Sequence, residues 1–345
     1  MAQKPLEILV VGSGAVGSIF GARAQGARSR VTAVCRSNYD VAASSGIAIR
    51  SILWGNSIFN PNRVVKSPSD VSHVEFDYVV LATKLGKQSN RTLVDSIRPV
   101  IRPKTCLVSV QNGIDAEIAL RQAFRNPVFS STCYISCSQK QPGIVEHVSS
   151  IRPHAFYMGI NRPGTLSSGE KELASFVSLD SAFTKVDDAH VERWRKMIFN
   201  TAWSLSTSLM DCNTHEVLRD DSGLRLVSGL AQEAYRVGRM MGINLPTDIP
   251  KYTVESAGKA PALVPSMLQD IRAGKPIEVE ALCGGILRMA KEKGIDTPIL
   301  ESIYGFLSRL NDDLESRNKE PMRIPVIRPA FNIPAIGLSS IPALL

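Results

Sequence analysis

The stretch "ILVVGSGAVGSIFGARA", residues 8 to 24, constrains this chain more than any other. An apolar run delivers the backbone into Gly12, Gly14 and Gly17, and helix-forming residues follow, so the glycines occupy a strand-to-helix turn. In that setting G-x-G-x-x-G opens a βαβ unit that binds a dinucleotide. Gly12 permits the tight turn, Gly14 lets a diphosphate approach the backbone, and Gly17 lets the helix pack on the strand. Ser13, Ala15 and Val16 complete the loop, whose free N–H groups and helix N-terminus favour the phosphate charge.

Short apolar runs continue the pattern. "LEILVVG", "RVTAVCR", "FDYVVLATK" and "TCLVSVQNG" are hydrophobic on both faces and end at polar or glycine residues, as strands of a helix-covered parallel sheet must be. Between about residues 128 and 160 the runs shorten and alternate around Pro142 and Gly143, which predicts antiparallel strands added to that sheet. From residue 188 the apolar period becomes helical. Asp187 or Asp188 is placed to cap the first helix, and Gly242 and Gly294 to end two others. The expected fold is α/β. A Rossmann-type doubly wound sheet takes residues 1–187, an all-helical substrate and catalytic domain takes 188–323, and a Pro-rich tail takes 324–345.

A site for NAD usually ends its second strand with Asp or Glu about 20 residues beyond the glycines, to hold the ribose hydroxyls. Here that strand ends "AVCRSN", with Arg36 in the carboxylate's place and Ser37 and Asn38 beside it as neutral donors. A guanidinium with no carboxylate suits a 2′-phosphate, so the expected cofactor is NADPH/NADP. Lys84, at the end of "YVVLATK", either reinforces phosphate binding or is a solvated loop residue.

Composition narrows the partners. The net charge of +8 comes from Lys and Arg scattered along the chain, with no basic block beside aromatic residues, so nucleic acid is not the expected partner. Attraction of a small anion or a phosphorylated cofactor accounts for the surplus. Every apolar run is broken well before about 18 residues, so no membrane span is expected. The N-terminus enters a strand directly instead of a signal peptide, which makes the cytoplasm the expected location. The six cysteines lie mostly in apolar stretches, and "CYISC" has no second Cys or His pair, so buried thiols and no metal are expected.

A nicotinamide cofactor supplies hydride but does not protonate the oxygen that forms, so a carbonyl reductase needs a proton donor. None of the five histidines shows a dyad spacing. Lysine is the better candidate, since apolar walls can lower its pKa. "VERWRKMIFN" reads as an amphipathic helix, with Trp194, Met197, Ile198 and Phe199 apolar and Arg193, Arg195 and Lys196 charged. Lys196 and Asn200 stand at i and i+4, with Ser204 one turn further on. These residues either line a cleft or coat a solvated helix face.

"ERWRKMIFN" (192–200) and "PSMLQDIRAGKPIEVEALCGGILRMAKEKGIDTP" (265–298) resemble the two signatures of the ketopantoate reductase (2-dehydropantoate 2-reductase) family. The glycine loop, Arg36 and "QNG" at 111–113 match that family in order and spacing, and the resemblance reaches about residue 312. It implies NADPH-dependent reduction of 2-dehydropantoate to pantoate in the pantothenate pathway, by a monomer or homodimer. Lys196 then matches the general acid, Asn200 a substrate-binding amide, and Ser266 a hydroxyl holding the substrate carboxylate. Glu278 matches the acidic residue that orients substrate and cofactor, and Asn112 an amide near the nicotinamide and the substrate. A carboxylate nearby can keep Lys196 protonated. Read alone, Ser266 also suits a helix N-cap, and Glu278 a solvated face beside Glu280.

Two departures bear on the substrate. Ser204 stands where the family often has a second asparagine, and "CNTHEV" places Thr214 and His215 where Asn and Gly are usual. Asn213 is displaced by one residue, which rotates a helical side chain by about 100°. Because polar contacts to substrate hydroxyls discriminate strongly, another 2-oxo acid or metabolite ketone fits these residues too. A protein that senses NADPH without turnover is a rival of another class, although it needs only the nucleotide loop.

Overall fold

The computed structural model describes residues 4–84, 89–114, 116–160 and 169–317. The tail expected over 324–345 lies outside the described residues. Twelve strands are described: β1 (Leu6–Val11), β2 (Ser29–Val34), β3 (Ile47–Ser51), β4 (Gly55–Phe59), β5 (Arg63–Val65), β6 (Tyr78–Leu81), β7 (Cys106–Ser109), β8 (Val128–Cys133), β9 (Ile135–Gln141), β10 (Ile144–Ser150), β11 (Phe156–Ile160) and β12 (Phe183–Lys185). Between them run α1 (Ala15–Ala24), α2 (Tyr39–Ser44), α3 (Ser89–Ile97), α4 (Ala116–Ala123) and α5 (Glu170–Val177).

The main sheet has the order β5-β2-β1-β6-β7-β8-β11-β12. β1 pairs in parallel with β2 on one side and β6 on the other. Ile8, Leu9 and Val10 are completely buried, as a central strand covered on both faces requires. Strand order reverses between β1 and β6, and such a switch point opens a crevice beyond the carboxyl ends of the strands. β11 runs antiparallel to β8, with β12 parallel to β11 at the edge.

Part of the alternating segment lies in its expected place, β11 joining the main sheet antiparallel to β8, and part does not. β9 and β10 do form an antiparallel pair, but β10 also pairs with β3, giving a second sheet of order β4-β3-β10-β9. Alternation is the reason. Val145, Ile135, Ile47 and Phe59 point into the core that includes Phe20 of α1, so this sheet buries one face against α1 and wets the other. The central strands of the main sheet, apolar on both faces, have no wet side to offer.

After β12 every described element is helical: α6 (Ala189–Met210), α7 (Thr214–Arg219), α8 (Asp221–Met240), α9 (Ile249–Lys259), α10 (Ser266–Arg272), a π-helical turn over Glu280–Gly284, α11 (Gly285–Lys293) and α12 (Pro298–Arg317). The Asp188 carboxylate caps α6 by accepting from the N–H groups of His190 and Val191, which satisfies two otherwise orphan donors. Gly294, in the left-handed region at φ 64°, ends α11. The helices enclose their own apolar cluster around Ile198, Ala202, Trp203 and Leu205 of α6. Full burial of Ile198 and Leu205 contributes roughly 1.5–3 kcal/mol each, which fixes the rotation of α6 and therefore the direction of its polar stripe. Among the described residues no helix is long and apolar enough to cross a membrane.

Candidate active site

A cleft of about 1950 Å³ runs from the glycine loop to the polar stripe of α6. Its floor is built by topology. Gly12 to Val16 follow β1, Arg36 follows β2, Lys66 follows β5, Lys84 follows β6, Asn112 follows β7, and Cys133 ends β8; all of them line it. The far wall comes from the helical half: Lys196, Asn200 and Ser204 on α6, Ser266 at the start of α10, and Glu278 just before the π-helical turn. Of the residues expected at the site, Gly17 alone is absent from the lining.

Its place explains why. A Cβ on Gly17 would collide with the Gly12 carbonyl oxygen, so this glycine serves the contact between helix and strand. Gly12 has φ +98°, and a Cβ there would come within 2.7 Å of the Thr83 side chain. Gly14 faces space with no atom within 4 Å of an added Cβ, which leaves the approach to the N-terminus of α1 open for a diphosphate.

At the ribose end Arg36 is exposed and lines the cleft together with Lys66. The Lys66 ammonium lies 4.7 Å from the centre of the Tyr39 ring, and sequence reasoning missed it because β5 is only three residues long. Asn38 does not act as the free neutral donor expected of it. It is 3% exposed, donates to the Ser13 carbonyl at 2.7 Å, and accepts from Gln139 at 2.6 Å and from the Gly143 N–H. It ties the glycine loop to the β9–β10 hairpin. Lys84 likewise has a protein partner, an ion pair of 2.5 Å with Asp270 of α10 that spans the two halves.

Two buried clusters seat α6 on the sheet. Arg193, read from sequence as part of the charged helix face, is only 5% exposed. It forms an ion pair with Glu117 of α4 and donates to the Gln111 and Gly113 carbonyls and to Ser130. Glu192, 7% exposed, accepts from the Tyr134 hydroxyl at 2.5 Å and from Arg152. The signal was present in the sequence, since residues 192, 193, 196 and 200 share one stripe of a helix. The partners lie some 60 to 80 residues away for Arg193 and could not be read from spacing.

Lys196 stands half-buried in this setting. Its ammonium lies 5.3 Å from the Tyr134 ring centre and 5.4 Å from that of Phe199. Burial pushes its pKa below the ordinary lysine range, with Cys133 acting in the opposite sense. Glu278, the carboxylate expected near Lys196, lines the same cleft and accepts from the Asn112 amide at 3.4 Å, while Glu280 accepts from Tyr304 at 2.7 Å and pairs with Arg288. Gly113, at φ +91°, lets the "QNG" turn abut this region, because a Cβ there would meet the Ala281 carbonyl at 2.8 Å.

Ser266 is the first residue of α10, with Pro265 at the cap position, so its hydroxyl is exposed to the cleft and does not cap the helix. Of the departures noted in the sequence, Ser204 lines the cleft and Thr214 does not. Thr214 is buried and accepts from the Leu263 N–H at 3.0 Å. Asn213 caps α7 by accepting from His215 and Glu216, which leaves it no part in the substrate wall.

The chain matches the family model described as ketopantoate reductase PanE/ApbA over residues 8–162, and the corresponding C-terminal model over residues 188–311. The 2-dehydropantoate 2-reductase of Methylococcus capsulatus superposes with a TM-score of 0.78 at 30% identity, covering 90% of this chain and 98% of that one.

The chain belongs to the ketopantoate reductase family.

Two further solved structures share the fold at lower identity. One is a D-mandelate dehydrogenase with NADH and anilino(oxo)acetate, 20% identical with a TM-score of 0.78 over 90% of this chain and 99% of that one. The other is a dimeric ketopantoate reductase from Staphylococcus aureus, 20% identical with a TM-score of 0.70 over 90% of this chain and all of that one. Membership of this oxidoreductase family accounts for the shape of the cleft: a nucleotide loop at one end and an amine-bearing helix at the other.

Proposed function

We propose that the protein reduces a 2-oxo acid with NADPH, 2-dehydropantoate (ketopantoate) to pantoate first among them, and that Lys196 is the general acid. The observation that carries this reading is the lysine itself, half-buried between two aromatic rings in the same cleft as the glycine loop. The residues present fit the dinucleotide. The open space at Gly14 suits the diphosphate, and Arg36 and Lys66 offer two cations to a 2′-phosphate. NADPH, when bound, supplies a hydride to the carbonyl carbon.

The chain's own residues do the rest. Lys196 Nζ gives a proton to the carbonyl oxygen as negative charge develops there, and its depressed pKa brings it closer to neutral pH, where such transfer is efficient. Asn200 and Ser266 present neutral donors to the substrate carboxylate. Asn112 is held from behind by Glu278, which leaves its carbonyl oxygen and remaining N–H to orient the substrate and nicotinamide.

Ser204 favours a second reading, a pocket re-specialised for another 2-oxo acid, because a short hydroxyl lines the cleft where an amide is usual. A homodimer belongs to the proposal as well, supported by the dimeric S. aureus relative, and sedimentation of the purified chain tests it. NADPH oxidation with ketopantoate and a panel of other 2-oxo acids, an aryl 2-oxo acid included, decides the function. Highest kcat/KM on ketopantoate supports the first reading, and preference for another acid supports the second. Tight NADPH binding with turnover of none would leave a sensor and refute both.

A further inference from the structure

We propose that Tyr134 is a positioning residue for the proton donor: its ring face holds the Lys196 ammonium in the cleft and favours the charged form. This rests on the reading of Lys196 as general acid. Tyr134 follows β8 directly and is 6% exposed. Its ring centre lies 5.3 Å from Lys196 Nζ, within the range where an aromatic face attracts a cation. The attraction matters here because the amine is partly withdrawn from water, and desolvation disfavours the ammonium form.

The ring is itself fixed. Its hydroxyl donates to Glu192 at 2.5 Å, and the Tyr157 ring packs against it in a T-shaped arrangement with 5.2 Å between centroids. Arg152 lies 5.0 Å from the same ring and pairs with Glu192, so the second cation near the ring has its own counter-charge. Burial beside Glu192 pushes the Tyr134 pKa up, which keeps the hydroxyl a donor. The titratable and charged groups around Lys196 are Cys133 and Tyr134 at the end of β8, Glu192 and Arg193 on α6, Arg152 after β10, and Glu278 across the cleft. Of these, only Tyr134 combines a ring face toward the amine with a fixed orientation. Phe199 supplies a second ring at 5.4 Å, but it stands three residues along the same helix and follows Lys196 wherever α6 goes.

The sign of the effect follows. A general acid works while protonated, so reduction is lost as pH rises through the Lys196 pKa. Removing a group that favours the ammonium lowers that pKa, and the basic limb of kcat moves to lower pH. For Tyr134→Leu a shift of about one pH unit is expected, and for Tyr134→Phe, which keeps the ring face, little or none.

The experiment is the pH profile of NADPH oxidation, with the best 2-oxo acid of the panel, for the parent, Tyr134→Phe, Tyr134→Leu and Lys196→Arg. Should Tyr134→Leu fail to fold, phenylalanines of increasing ring fluorination at position 134 keep the shape while weakening the negative face. The limb should then move down stepwise. A limb that stays in place for Tyr134→Leu, or across the fluorinated series, overturns the proposal and leaves Tyr134 a purely structural residue. Persistence of the parent's limb in Lys196→Arg would instead remove Lys196 as the titrating acid, so the two failures are told apart.

Discussion

The two ends of the cleft are built on opposite principles. At the nucleotide end the working parts are backbone and empty space: Gly12 turns the chain at φ +98°, Gly17 lets α1 close on the strand, and Gly14 leaves room for a ligand. At the α6 end the working parts are side chains, each held by others. Arg193 and Glu192 seat the helix, Tyr134 and Phe199 flank Lys196, and Glu278 holds Asn112. A site made of absences tolerates no added atoms, whereas a site made of supported side chains tolerates no lost ones. Substitutions at the two ends should therefore fail in different ways.

The largest effect on stability is expected from Arg193→Ala. It removes the buried cation that pairs with Glu117, itself 3% exposed, and breaking such a buried pair costs about 3–5 kcal/mol. Denaturant unfolding measures it; a loss under about 1 kcal/mol would show that α6 is seated by its apolar face alone.

Next come the glycines, which separate folding from binding within one loop. Gly12→Ala forces a side chain into the left-handed region and against Thr83, at roughly 1–3 kcal/mol for the backbone strain alone. Gly14→Ala meets no protein atom, so its thermal midpoint should match the parent while NADPH affinity falls by about tenfold or more as the methyl intrudes on the diphosphate approach. Equal destabilisation of the two variants would break the contrast between turn and cradle. Arg36→Ala should weaken NADPH by roughly tenfold and leave NADH nearly unchanged, since the lost contact is charge-assisted and specific to the 2′-phosphate; a parallel loss for both cofactors would move Arg36 away from that role.

The smallest effect is expected at Lys84. Its pair with Asp270 spans the two halves, but the lysine side chain is 59% exposed, and solvent-exposed pairs contribute up to about 1 kcal/mol. Lys84→Ala should unfold within that margin of the parent.

Legibility in the sequence follows the same division. The glycine loop was readable because its chemistry depends on local backbone, and local backbone is what a short motif encodes. The parallel strands and the cap at Asp188 were readable for the same reason. The second sheet was not, since the pairing of β10 with β3 joins segments almost a hundred residues apart, and alternation alone does not name a partner. Helix spacing singles out Lys196 and Asn200, resemblance adds Ser266 and Glu278, and the structure brings all four to one cleft. Their supports were missed. Nothing in "CYISC" announces that Tyr134 lies under a lysine 62 positions later, and nothing in "AVCRSN" shows that Asn38, a neutral donor by its place beside Arg36, is engaged within the protein by Ser13, Gln139 and Gly143.

The proposed division of labour puts nucleotide binding in the sheet half and proton delivery in Lys196. Its most direct test is Lys196→Ala examined twice: NADPH affinity by cofactor fluorescence titration, and hydride transfer in a single turnover with the preferred 2-oxo acid. Affinity within a few-fold of the parent together with transfer slowed by about 10²–10⁴ is the predicted result. Transfer at the parent's rate would contradict the account, and so would NADPH affinity lost along with it.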